Sequence, residues 1–200
     1  MSNNETDNQR YHLGQWLVRD VLIIAGLLAL WHYCNLWYVG ATGIVAGLAA
    51  LLTAVLGFIS AYVSCYIVHE WGHYAGARLA GAVIPIGTPR GIALGLFNPY
   101  DHSVRQFQSM SWGGVVGYTL TAIICVSLYQ PTLAYQALAV GGIAFVMQSW
   151  SVDLPIILRI QRGAPVLPTA SDGASAAVIG RRTLQSWSVL TVGVVIWALA

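Results

Sequence analysis

His69, Glu70 and His73 fall in the run His69-Glu70-Trp71-Gly72-His73, two imidazoles four residues apart with a carboxylate beside the first. On an α-helix, residues i and i+4 lie one above the other, so both rings can hold one metal ion while Glu70 reaches its open side. The expected ion is zinc (Zn2+), which in catalytic sites takes three protein ligands and leaves a fourth position to water. Zinc brings the bound water's pKa to roughly neutrality. A carboxylate such as Glu70 can then take its proton, direct the hydroxide at a carbonyl and return the proton to a leaving amine. One more N or O donor is needed, and Asp153, Asp172, Asp101 and His102 are the candidates. Asp101 and His102 adjoin Tyr100 in a loop and read as solvated. The plainer reading of the run is a pair of helix-packing histidines beside a neutralised Glu70, but ionisable groups are costly at membrane depth.

Membrane depth is what the surrounding sequence implies. The chain is 57% hydrophobic and 8% charged with a mean hydropathy of +0.67, far from the roughly one-quarter charged residues of soluble domains. Between Asp20 and His69 the only ionisable side chains are His32, thiols and phenols, and between Arg105 and Asp153 there is no formal charge. Each interval accommodates two spans of about 20 residues. The expected architecture is an all-α polytopic membrane protein of about five transmembrane helices, near residues 21–37, 43–79, 111–129, 133–150 and 183–200. Residues 1–20 read as a polar, disordered tail, and 21–200 as one transmembrane domain. No cleavable signal peptide is evident.

Trp31, Tyr33, Trp37 and Tyr38 crowd the far end of the first span as an interfacial aromatic belt would. The second span is long enough to tilt or project, and carries the histidines toward its second end. Residues 82–98 are apolar but broken by Gly and Pro too often for a spanning helix, and read as a small membrane-associated hairpin. Gly113, Gly114 and Gly117 open the third span and suit close helix packing. Asp153-Leu154-Pro155 is expected to lead from the fourth span into a loop. Cys34, Cys65 and Cys125 lack any pairing or metal-site spacing and read as small buried residues. The net charge of +2 gives no reason to expect a nucleic-acid partner.

The run His69-Glu-Trp-Gly-His-Tyr-Ala-Gly-Ala-Arg-Leu-Ala-Gly81 resembles the zinc-binding helix of the site-2 protease family of intramembrane zinc metalloproteases. That resemblance covers about residues 60–180 and implies a three-helix catalytic core, a small sheet after the first core helix and a Gly-rich entry to the second. It also implies an Asp-Gly pair supplying the last zinc ligand. The corresponding parts are residues 43–79, 82–98, 112–117 and Ser171-Asp172-Gly173. His69, His73 and Asp172 are thereby implied as the metal ligands and Glu70 as the catalytic base. Two departures stand out: an Arg-, Gly- and Pro-containing insert separates Asp153-Leu-Pro155 from Asp172, and Gly117 and Tyr118 stand near the place of a family Asn.

The implied activity is an intramembrane metalloendopeptidase cleaving a transmembrane protein substrate in the lipid bilayer. An edge over residues 82–96 could receive the unwound substrate by β-augmentation. The alternatives are a membrane scaffold or chaperone of the same fold with a weakened site, and a membrane metalloenzyme acting on lipids or small molecules. All nine basic residues are arginines, and alternating spans put every one on the side of the N-terminus. The positive-inside rule then makes the N-terminus and the histidine end cytoplasmic, as expected of a multi-pass protein of the cell (inner) membrane.

Overall fold

Four long helices account for nearly all the described chain: α1 (Asn3–Gly40), α2 (Gly43–Leu79), α3 (Val104–Ser127) and α4 (Leu133–Gln161). The computed structural model describes residues 3–87 and 102–166, with Thr169, Gly180, Leu184, Trp187 and Ser188, and side chains from His12 onward. Each helix contains a stretch long and apolar enough to cross a membrane. Even the 24 residues of α3 rise to about 36 Å at 1.5 Å per residue, more than the hydrocarbon core of a bilayer. The expected fifth span, 183–200, lies almost wholly outside the described residues.

What faces outward is apolar. Ile44 and Leu48 on α2 and Val116, Leu120, Ile123 and Ile124 on α3 are all exposed. What faces inward is small: the buried positions of α2 are Ala49, Thr53, Gly57, Ser60, Ala61, Ser64, Cys65, Ile67, Gly76 and Ala77. This inversion is that of a helical membrane protein. Lipid replaces water around the large side chains, and association depends on backbones approaching closely along small residues. α2 is central, packing against α1, α3 and α4, while α3 and α4 also pack on each other. Cys65, Val115, Tyr118, Ala122, Phe145 and Ile157 form the core between α2, α3 and α4.

Three expectations are corrected. Residues 3–20, read as a disordered tail, are the first turns of α1; Trp16 and Asp20 are buried there because they bond to groups that follow much later in the chain. α3 begins at Val104, ahead of the expected 111. Ser103 and Gln106 make a reciprocal capping box that fixes its start. α4 does not end before Asp153: Pro155 lies inside the helix, so Asp153 is a helical residue held at a fixed angle. Buried in protein, a membrane helix tolerates the hydrogen bond that proline removes. Of the expected hairpin, only 82–87 is described. That segment is non-helical, with a single bridge residue at Ile86 and no longer strand, and residues 88–98 lie outside the described set.

Candidate metal centre

The second end of α2, the first turns of α3 and the second half of α4 meet at one end of the bundle. Glycine determines how closely. A Cβ on Gly72 would strike the Gly113 carbonyl, one on Gly113 would strike the Gly72 carbonyl, and one on Gly76 the Ser109 carbonyl. α2 and α3 therefore touch backbone to backbone through the turn that carries the two histidines. Ser109 adds a bond from its hydroxyl to the Gly76 carbonyl at 2.7 Å. Gly114 lies directly under both rings: a Cβ there would come within 2.6 Å of His73 Nδ1 and 2.8 Å of His69 Cδ2. The imidazoles occupy the space that a side chain at 114 would need.

His69 and His73 stack one turn apart with ring centroids separated by 4.2 Å, as the i, i+4 spacing implied. The Nδ1–H of His73 donates to the Met110 carbonyl at 2.9 Å. That bond selects one tautomer and leaves Nε2 with the lone pair, as metal-ligating histidines are commonly arranged. His69 Nε2 stands 3.6 Å from Asp153 Oδ2, and its Nδ1 stands 3.8 Å from Glu70 Oε1. Both His69 nitrogens and Asp153 Oδ2 are buried without a hydrogen-bond partner.

An unsatisfied buried polar atom costs on the order of 1–3 kcal/mol, and here an imidazole carries two and a carboxylate one, with His69 Nε2 and Asp153 Oδ2 facing each other. Their separation exceeds a hydrogen bond. It is close to the roughly 3.3 Å between two donors sharing one tetrahedral zinc, given bonds of about 2.0–2.1 Å. The donor chemistry, neutral imidazole and carboxylate oxygen, suits that ion. His69 and Asp153 thus suit such an ion as a pair, with the His73 ring stacked one turn along. Among the described residues no three His, Cys, Asp or Glu side chains stand close enough together to hold a metal ion between them, and Asp172 and Asp101 lie outside those residues. His102 is engaged elsewhere, its Nε2 lying 3.1 Å from the Val83 carbonyl.

Several neighbours escape sequence reading. Tyr118 is fully buried, its ring 5.3 Å from that of His69. Its hydroxyl lacks a hydrogen-bond partner in strict geometry and lies against the Asp153 carboxylate. Phe145 closes another side, 5.9 Å from His69. Met110 contributes only a carbonyl, which no side-chain pattern reveals. Trp71, inside the motif, donates its indole N–H to Asp20 Oδ2 at 2.8 Å; the only available signal was a lone acid at the edge of the first apolar stretch. The arrangement gathers two imidazoles and the Asp153 carboxylate about one turn of α2, with a second carboxylate, Glu70, alongside. Compared with known proteins, the chain matches no family model, no curated protein and no solved structure.

Proposed function

We propose that this chain is a zinc-dependent intramembrane endopeptidase acting on a transmembrane protein segment, the activity implied by its resemblance to the site-2 protease family. The observation that carries the reading is the pair of orphaned atoms, His69 Nε2 and Asp153 Oδ2, facing each other at 3.6 Å beside a His73 whose tautomer is held by Met110. His69 and His73 hold the ion, and the geometry supports Asp153 as the third donor. Asp172, the ligand implied by the resemblance, is the competing assignment. Zinc bound there would supply a Lewis acid and a water that ionises near neutral pH.

Glu70, beside His69, would be the group to take up a proton from the attacking water and to return it to the amide nitrogen that leaves. The buried phenol of Tyr118 and the ring of Phe145 keep bulk water from the rings of His69 and His73, which strengthens every charge interaction there. A substrate helix must unwind before its peptide bond is open to attack, and the non-helical chain that follows α2 is the place where an unwound segment could pair. The nine arginines favour a cytoplasmic position for this end of the bundle.

Zinc analysis of the purified protein beside a His73→Ala variant, with cleavage of a transmembrane reporter, tests the reading. Stoichiometric zinc and metal-dependent cleavage are expected in the wild type, with both lost in the variant. Zinc without cleavage of any reporter would favour the scaffold alternative, and a wild-type protein without zinc would remove the metalloenzyme altogether.

A further inference from the structure

Asp20 is a carboxylate only 4% exposed at the edge of a membrane span, and stability does not account for it. Its Oδ1 accepts from Arg19 Nε at 2.8 Å and Nη2 at 2.6 Å, and its Oδ2 accepts from the Trp71 indole at 2.8 Å. Buried ion pairs of this kind are commonly no more stable than apolar packing of the same volume. Ionisable groups at this depth are functional by default. All three acids whose side chains are described, Asp20, Glu70 and Asp153, gather about the same turn of α2.

Metal chelation does not require tryptophan at position 71. Helical geometry turns about 100° per residue, so the Trp71 side chain leaves α2 about 200° from His69 and from His73. It therefore projects from the back of the turn that carries them. On another side of that turn, Gly72 and Gly76 are in backbone contact with α3. The indole bond to α1 thus holds the α2 end from the side away from the histidines, opposing rotation of that end together with the contacts to α3. The same patch of α1 reaches the chain leaving α2. Trp16 donates its indole N–H to the Gly87 carbonyl at 2.7 Å, and the Arg19 guanidinium stacks 3.8 Å over the Trp16 ring.

We propose that Asp20 is a positioning residue for the candidate centre, acting through Trp71 to fix the angle at which α2 presents His69, Glu70 and His73. The inference rests on the metallopeptidase reading. It makes α1, which lies outside the three-helix core implied by the family resemblance, part of the working unit. Asp20 touches neither metal nor substrate; it sets the direction of groups that do.

The test uses the full chain in detergent, loaded with cobalt(II), and a transmembrane reporter. Trp71→Phe keeps the ring and drops the donor, Asp20→Leu removes the acceptor, and Asp20→Asn keeps an oxygen for the indole. Trp71→Phe and Asp20→Leu are expected to bind cobalt with a shifted visible band and to lose about tenfold in kcat, with KM held within about twofold. Asp20→Asn should recover most of that loss. The Trp71→Phe, Asp20→Leu double variant should be no worse than Asp20→Leu alone, because the indole bond is already lost in that variant. A wild-type cobalt band and kcat in Trp71→Phe would overturn the proposal, even with a lower melting temperature, by reducing the contact to an anchor; this variant decides the matter if Asp20→Leu does not fold. Failure of the metallopeptidase reading is read separately, in the wild-type protein, which would then take up no cobalt.

Discussion

Glu70 stands beside His69 with its carboxylate 3.8 Å from the ring, one residue removed from a ligand and therefore on the flank of the ion. A carboxylate so placed serves better as base than as ligand. Glu70→Gln is expected to keep zinc and lose cleavage by at least about 100-fold, in line with general acid–base contributions; measured turnover within a few-fold of wild type would remove it from the mechanism. The third ligand is decided by two aspartates. A hydrogen bond from His69 to an orienting carboxylate would be shorter than the observed 3.6 Å, which favours the proposal of Asp153 as a ligand. Asp153→Asn is accordingly expected to lose zinc and Asp172→Asn to retain it, and the reverse result by metal analysis would return the ligand to the Asp-Gly pair. The histidines and Glu70 were legible because their relation is local, fixed by one helical turn. Met110, Tyr118 and Asp20 were not, since their roles exist only once distant helices meet.

Helix α2 shows how far local sequence carries at the next scale. Its extent, Gly43–Leu79, coincides with the apolar run read from the chain, because no proline or paired charge interrupts it. The ends of α1 and α4 were misjudged for one shared reason. The polar start of α1 and Pro155 of α4 are breakers in isolation, and tertiary contacts override them. Glycines 113 and 114 had a plain reading as packing residues, and the packing is real, but its purpose is specific: the histidine-bearing turn is pressed against the α3 backbone. Gly114→Ala would push its methyl into both imidazoles, while Gly47→Ala adds a methyl in open space. The former is expected to cost about 1–3 kcal/mol by overpacking and to weaken zinc binding beyond that loss, and the latter to be neutral. Thermal melting and zinc titration of the pair check this, and equal zinc affinity in both variants would detach the glycine from the site.

Across the whole molecule, the parts of the candidate centre come from helices that alternate in direction, and the connections decide which end they share. Asp20 lies in the first half of α1, His69 and His73 in the second half of α2, Met110 and Gly114 near the start of α3 and Asp153 in the second half of α4. Up-and-down passage brings all of them to the end of the bundle where the chain begins. The arginines follow the same division. Arg10, Arg19, Arg78, Arg105, Arg159 and Arg162 flank that end, Arg90 falls between α2 and α3 in sequence, Arg181 and Arg182 follow α4 in sequence, and the turns at 41–42 and 128–132 carry no basic residue. Short loops near the ends of spans are where the arginine bias acts most strongly on insertion. A reporter fused after Arg162 is therefore expected to read cytoplasmic and one inserted at Gly40 external, and both should hold whether or not residues 183–200 add a span, because they depend only on α1 to α4. If the Gly40 fusion reads cytoplasmic and the Arg162 fusion external, the centre opens on the opposite face, and the substrates it can meet come from outside the cell rather than within.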